Sequence, residues 1–223
     1  MRTFLPASRV ALACVLALVA VLWVSTATGF VSSNDGSHVA LARALALRRA
    51  TTINGDRALT LGVDMAVRGL HVYSDRPPGT AFGALWAAWL GARFDARAAA
   101  RARAQIAAGR AVDPQPANPA YRALYARLFP GAPPLIERIA TSVIVGLHAS
   151  IIGLVGLVLI DHLLRLHGAS VQARVFARAS IGVASLWGPY STGLFSHVTA
   201  ATCVAGFLLA VSALPRQQRR HAV

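Results

Sequence analysis

Three apolar runs dominate the pattern of this chain. ALACVLALVAVLWVSTATGF (11–30) carries no charge, and about 20 such residues suffice to cross a hydrocarbon layer of roughly 30 Å. IATSVIVGLHASIIGLVGLVLI (139–160) is the second, with Gly146 and Ser150 forming a small-xxx-small edge suited to close helix packing. STGLFSHVTAATCVAGFLLAVSAL (191–214) is the third. Two weaker runs accompany them. VFARASIGVASLWGPY (175–190) reads as a further span, interrupted by Arg178 and ended by Pro189. GTAFGALWAAWLGA (79–92) is short for a span, and suits a tilted, re-entrant or interfacial helix equally well.

The segments between are polar. Residues 38–49 predict a short helix and 53–57 a turn. An Ala/Arg helix is expected over 94–109, where Arg93, Arg97 and Arg101 recur every fourth position and share a face. A proline-broken loop follows at 113–119. Tyr121, Leu124, Tyr125 and Leu128 then form an apolar stripe, predicting a helix over 120–129 that lies on a membrane surface or packs on protein.

The expected fold class is therefore an all-α integral membrane protein of four transmembrane helices, or five if 79–92 crosses, with extracytoplasmic juxtamembrane helices. It reads as one membrane domain: an anchor over 1–30, an outer loop over 31–137, helical spans over 138–214 and a basic tail over 215–223. Arg2 and Arg9 precede the first run and place the N-terminus in the cytoplasm. Ser25-Thr26-Ala27 keeps a cleavable signal peptide open as the alternative. Both readings put residue 31 onward outside. With four spans, the connector 161–174 and the tail are cytoplasmic and their arginines obey the positive-inside rule.

Composition sharpens this picture. Hydrophobic residues make up 56% of the 223, and mean hydropathy is +0.55, outside the range of an ordinary soluble domain. The formal charge is +14, and every one of the 22 basic residues is arginine. Placed between apolar spans, these cations point to membrane lipids and lipid phosphates and away from nucleic acid. Cys14 and Cys203 lie inside apolar runs and suggest neither disulfide nor metal cluster.

Three polar clusters could carry chemistry. Asp35, in SSNDGSH, stands just beyond the first span. A carboxylate there could deprotonate a hydroxyl or hold a divalent cation; equally, Asp35 or Ser37 could cap the next helix. HVYSDRPPGTAF (71–82) is the second cluster. Its paired prolines hold Asp75-Arg76 extended, so Arg76 could present a fork of donors to a phosphate, or simply neutralise Asp75. LWGPYSTGLFSH (186–197) brings Tyr190 and His197 to membrane depth, where polar groups are costly. No zinc spacing, Gly-rich nucleotide loop or Ser/His/Asp order stands out.

In this order, Asn34-Asp35-Gly36-Ser37, Tyr73-Ser74-Asp75-Arg76-Pro77-Pro78-Gly79, and Trp187 with Pro189-Tyr190-Ser191-Thr192 and Phe195-Ser196-His197 resemble a known pattern. It is that of the N-terminal part of GT-C superfamily membrane glycosyltransferases, of the protein O-mannosyltransferase and aminoarabinose transferase kind (family 39-like). The resemblance covers about 30–200. It implies transfer of a sugar from a polyprenyl-phosphate donor at the outer face of a bacterial cytoplasmic membrane. Asp35 would then activate the acceptor or bind a divalent cation. Arg76, where the family more often has Lys, would contact the carrier phosphate beside Asp75, with Tyr190 and His197 on the substrate. The family's second acid is missing between Ser191 and His197, leaving only His197 to stand in. Such enzymes also run on for many more spans. The chain thus reads as their front half: a truncated copy, one part of a split enzyme completed by a second membrane subunit, or a small non-catalytic relative that keeps the fold for assembly or lipid binding. A small transporter is disfavoured, since the polar residues gather at the outer surface.

Overall fold

A computed structural model describes residues 7–27, 29–110 and 116–220. Arg2, loop residues 113–115 and tail residues 221–223 lie outside the described residues. The chain is mostly helical, and its contacts divide it into two compact units. One comprises Met1–Thr26, Ser150–Ser191 and His197–Val223; the other comprises Ala27–Ala149 and Thr192–Ser196.

Helices α1 (Ala7–Thr26), α6 (Ile139–Leu166) and α9 (Ser196–Arg220) grow from the three apolar runs. Among the described residues, three helical segments are long and apolar enough to cross a membrane: Arg9–Thr26, Leu135–Leu166 and Ser196–Leu214. The other two runs behave differently. Residues 175–190 divide into α7 (Val171–Val183) and the short α8 (Trp187–Tyr190), because Ala184 leaves the helix. Residues 79–92 become the short α3 (Pro78–Gly83) and the start of α4 (Leu85–Ala107), which continues through the Ala/Arg segment as one helix.

In the first unit, α1 and α7 pack through Val19 and Gly182, and the Trp23 indole donates to the Gly182 carbonyl at 2.9 Å. A Cβ at Gly182 would lie 2.8 Å from a Val19 methyl, so only glycine permits this approach. Arg178, which interrupts the expected span, is compensated. It lies 2.9 Å from the buried carboxylate of Asp161 and donates to the Leu12 carbonyl at 2.8 Å. Arg174 donates to the same carboxylate at 2.8 Å. A charge within an apolar unit persists only when partnered in this way.

The second unit is built around α2 (Ser33–Arg48), whose middle from Val39 to Ala44 is buried. The 3₁₀ helix Asn54–Thr60, α3 and α4 pack against it. Gly36 makes one approach possible, since a Cβ there would lie 1.9 Å from the Leu59 carbonyl oxygen. Arg43 crosses this core. It donates to Asp56 at 3.3 Å, Asp95 at 3.2 Å and the Thr141 hydroxyl at 2.8 Å, while Asp95 accepts the Thr141 amide at 2.8 Å. One buried network thereby holds α2, α4 and the beginning of α6 together.

The all-α expectation misses one element. Strands β1 (Met65–Arg68) and β2 (His71–Ser74) form an antiparallel hairpin with Met65 opposite Ser74, turning through Gly69 at φ 60°. The HVYS of the second cluster is β2. Of the two readings of the stripe over 120–129, packing on protein holds for its tyrosines. Helix α5 (Pro119–Leu128) does form, capped by Asn118, and Tyr121 and Tyr125 are buried on protein. Tyr121 stacks on Phe30 and donates to the Leu59 carbonyl at 2.6 Å; only Leu124 and Leu128 of the stripe are exposed.

Candidate functional site

Helix α2 places the first cluster. Ser32 is its N-cap and Asp35 the third helical residue, so their side chains and amides cap one another reciprocally. The Ser32 amide donates to Asp35 Oδ1 at 2.9 Å, the Ser32 hydroxyl to the same oxygen at 3.1 Å, and the Val31 amide to Oδ2 at 3.1 Å. The capping role and the buried position therefore coexist in one carboxylate, which is only 2% exposed. Burial pushes its pKa up from 3.8 to about 6, against the pull of these donors.

Asp35 lines a cavity of about 10 Å³ with Gly29, Ser142, Thr192 and Gly193, room for roughly one water molecule. A Cβ on Gly193 would lie 3.3 Å from Asp35 Oδ2. The structure thus brings Thr192-Gly193 of the third cluster against the carboxylate of the first. Tyr121 is buried within reach of the Asp35 charge. Its phenol is held above the usual range, first by burial and then by the Asp35 charge, so it stays a neutral donor.

The second cluster joins the same helix through hydroxyls. Ser37 donates to the Asp64 carbonyl at 2.7 Å, and its oxygen lies 2.8 Å from the Ser74 hydroxyl. Ser74 in turn accepts the Arg76 amide at 3.2 Å. The Arg76 guanidinium pairs with Asp64 and lies 3.3 Å from Asp75. It therefore faces two carboxylates.

Tyr190 and His197 belong to the other unit. Their rings stack, centroids 4.7 Å apart and planes 13° from parallel, with His197 exposed. The sequence reading missed Asp64 as the partner of Arg76, and missed Ser142 and Tyr121 around Asp35. Only the Ser32-x-x-Asp35 spacing of a capping box gave a local signal.

The surroundings of Asp35 suit a hydroxyl better than a divalent cation. Among the described residues no three His, Cys, Asp or Glu side chains gather as a metal site. Both Asp35 oxygens already accept protein donors, whereas a hard cation takes about six oxygen ligands. Comparison of the chain with protein-family models, curated proteins and solved structures found no match.

Proposed function

We propose that this chain is a GT-C-like membrane glycosyltransferase unit, or part of one, moving a sugar from a polyprenyl-phosphate donor to a hydroxyl acceptor at the outer face of a bacterial cytoplasmic membrane. In this reading the N-terminus is cytoplasmic, and α7 with α8 serves as a fourth, broken crossing. A second membrane subunit would complete the fold. One observation carries the proposal: a buried carboxylate with pKa raised to about 6 borders a cavity that admits one hydroxyl-sized group. A general base works best when its pKa is tuned towards the operating pH. Asp35 would take the acceptor's proton as its oxygen attacks the anomeric carbon and the carrier phosphate leaves. No step is routed through a metal.

The test is Asp35→Asn in membranes supplied with polyprenyl-phosphate-linked sugar. Loss of transfer at unchanged protein level supports the proposal. Full transfer by the variant removes Asp35 from the mechanism.

A second reading, a non-catalytic assembly or lipid-binding module, is favoured by Arg76. Its charge is matched by Asp64 and Asp75, as a structural ion pair requires.

A further inference from the structure

The outward face of α4 changes character along its length. Trp86, Trp89, Arg93, Arg97 and Arg101 follow at spacings of three and four and are all exposed. They occupy one side of the helix. The opposite side, Ala87, Ala88, Gly91, Asp95, Ala99 and Ala102, is buried. The N-terminal half of the exposed face is aromatic: Trp86 is 50% and Trp89 42% exposed, with Phe82 just before them at 53%. The C-terminal half is cationic. At the join, the Arg93 guanidinium sits 4.2 Å above the Trp89 ring. Among the described residues, no acid pairs with Arg93, Arg97 or Arg101.

Two contacts set the direction of this face against the beginning of α6. Gly91 meets Thr141, where a Cβ would lie 2.4 Å from the Thr141 Cα. Trp86 meets His148 edge to face, with ring centroids 5.5 Å apart. Moving back from Gly91 to Trp86 along α4, by about 7 Å, thus accompanies an advance of about 10 Å along α6. The two helices run roughly antiparallel there, and α6 is the strongest candidate span. A helix lying flat would hold its whole face at one depth. A helix that follows a span must grade from apolar to aqueous, and the face of α4 does so.

We propose that α4 is an inclined membrane-docking helix. Phe82, Trp86 and Trp89 enter the acyl–headgroup boundary of an anionic phospholipid bilayer, and Arg93, Arg97 and Arg101 lie along its phosphates. Tryptophan favours that boundary, and arginine pairs with phosphate. The proposal does not rest on the sugar-transfer reading.

Nitroxide labels test it in vesicles of phosphatidylglycerol and phosphatidylcholine. Single cysteines are placed at Leu90, Ala100 and Ala104, beside or within the face, in a background with Cys14→Ser and Cys203→Ser. The ratio of oxygen to nickel-chelate collision is expected to fall steadily from 90 to 104. Adding W86S and W89S is expected to shift position 90 towards water. Replacing phosphatidylglycerol with phosphatidylcholine, or adding R97Q and R101Q, is expected to lift 100 and 104 away from the bilayer. Equal, fully aqueous accessibility at all three positions would overturn the docking. Equal burial at all three would overturn the inclination. Insensitivity to lipid charge would overturn the role of the arginines.

Discussion

Asp35 couples stability to pH in a direction opposite to most carboxylates. Its pKa is about 6 in the folded chain and 3.8 ordinarily. The native state therefore holds the proton more tightly than the unfolded state between these values. Stability from this group is complete below about pH 4 and is lost as pH rises to about 6. A difference of about two units corresponds to about 3 kcal/mol, and the side chain is too buried for solvent to screen it away. The Asp35→Asn variant mimics the protonated form and can still accept the Ser32 amide. Chemical unfolding in detergent should be measured for both proteins from pH 4 to 7.5. The wild type is expected to lose about 3 kcal/mol relative to the variant across pH 4–6, and nothing further above. Taking the difference cancels titration common to both proteins. A difference that does not change with pH would refute the argument that burial dominates over the three donors. The same carboxylate, acting as a base, would give a transfer rate that rises through pH 6 as it ionises. Opposite slopes for stability and activity would mark a group kept buried for chemistry, while a stability slope alone would mark a cap.

Two further outcomes follow from the packing of the second unit. Arg43→Met should cost about 3–5 kcal/mol, because Asp95 stays buried without its cation, while Asp56 keeps Arg48 at 3.1 Å and Arg138 at 3.4 Å; unfolding of the detergent-solubilised protein reads the loss, and a cost below 1 kcal/mol, as an order-of-magnitude bound, would show that the network contributes as little as a surface pair. Gly91→Ala drives a methyl into the Thr141 backbone and should cost about 1–3 kcal/mol or more, with cysteine cross-linking between α4 and α6 slowed as the helices part.

How far the sequence foretold this fold depended on the range of the interaction. Helices α1, α6 and α9 were legible because twenty apolar residues in a row signal burial in lipid without reference to anything else. α5 was legible too, since Asn118 and Pro119 start it locally and its stripe has helical period. The hairpin was not, because each strand is four residues long and its register depends on pairing. The state of Arg43 was equally hidden: its partners lie 13, 52 and 98 residues away. Asp35 fell between these cases. Its capping geometry is written within four residues, but its surroundings include Ser142 and Thr192-Gly193, far along the chain. The exposed arginine row of α4 was legible as a face, whereas the aromatic half above it needed the fusion of two predicted segments into one helix.

The electrostatics of the second cluster constrain what it can bind. Arg76 brings one positive charge, and Asp64 and Asp75 bring two negative ones within its reach. The group as a whole opposes a phosphate unless a carboxylate is displaced. A guanidinium already shared between two carboxylates gains little by exchanging one of them for another oxyanion in the same place. On the transfer reading, Arg76 therefore serves better to hold β2 against the β1 side of the hairpin, and through Ser74 and Ser37 against the helix that carries Asp35. The positive charge a lipid phosphate needs must then come from arginines without acidic partners. Arg93, Arg97 and Arg101 of α4 qualify: they are exposed and aligned and, among the described residues, have no acidic partner, as the docking proposed for that helix requires.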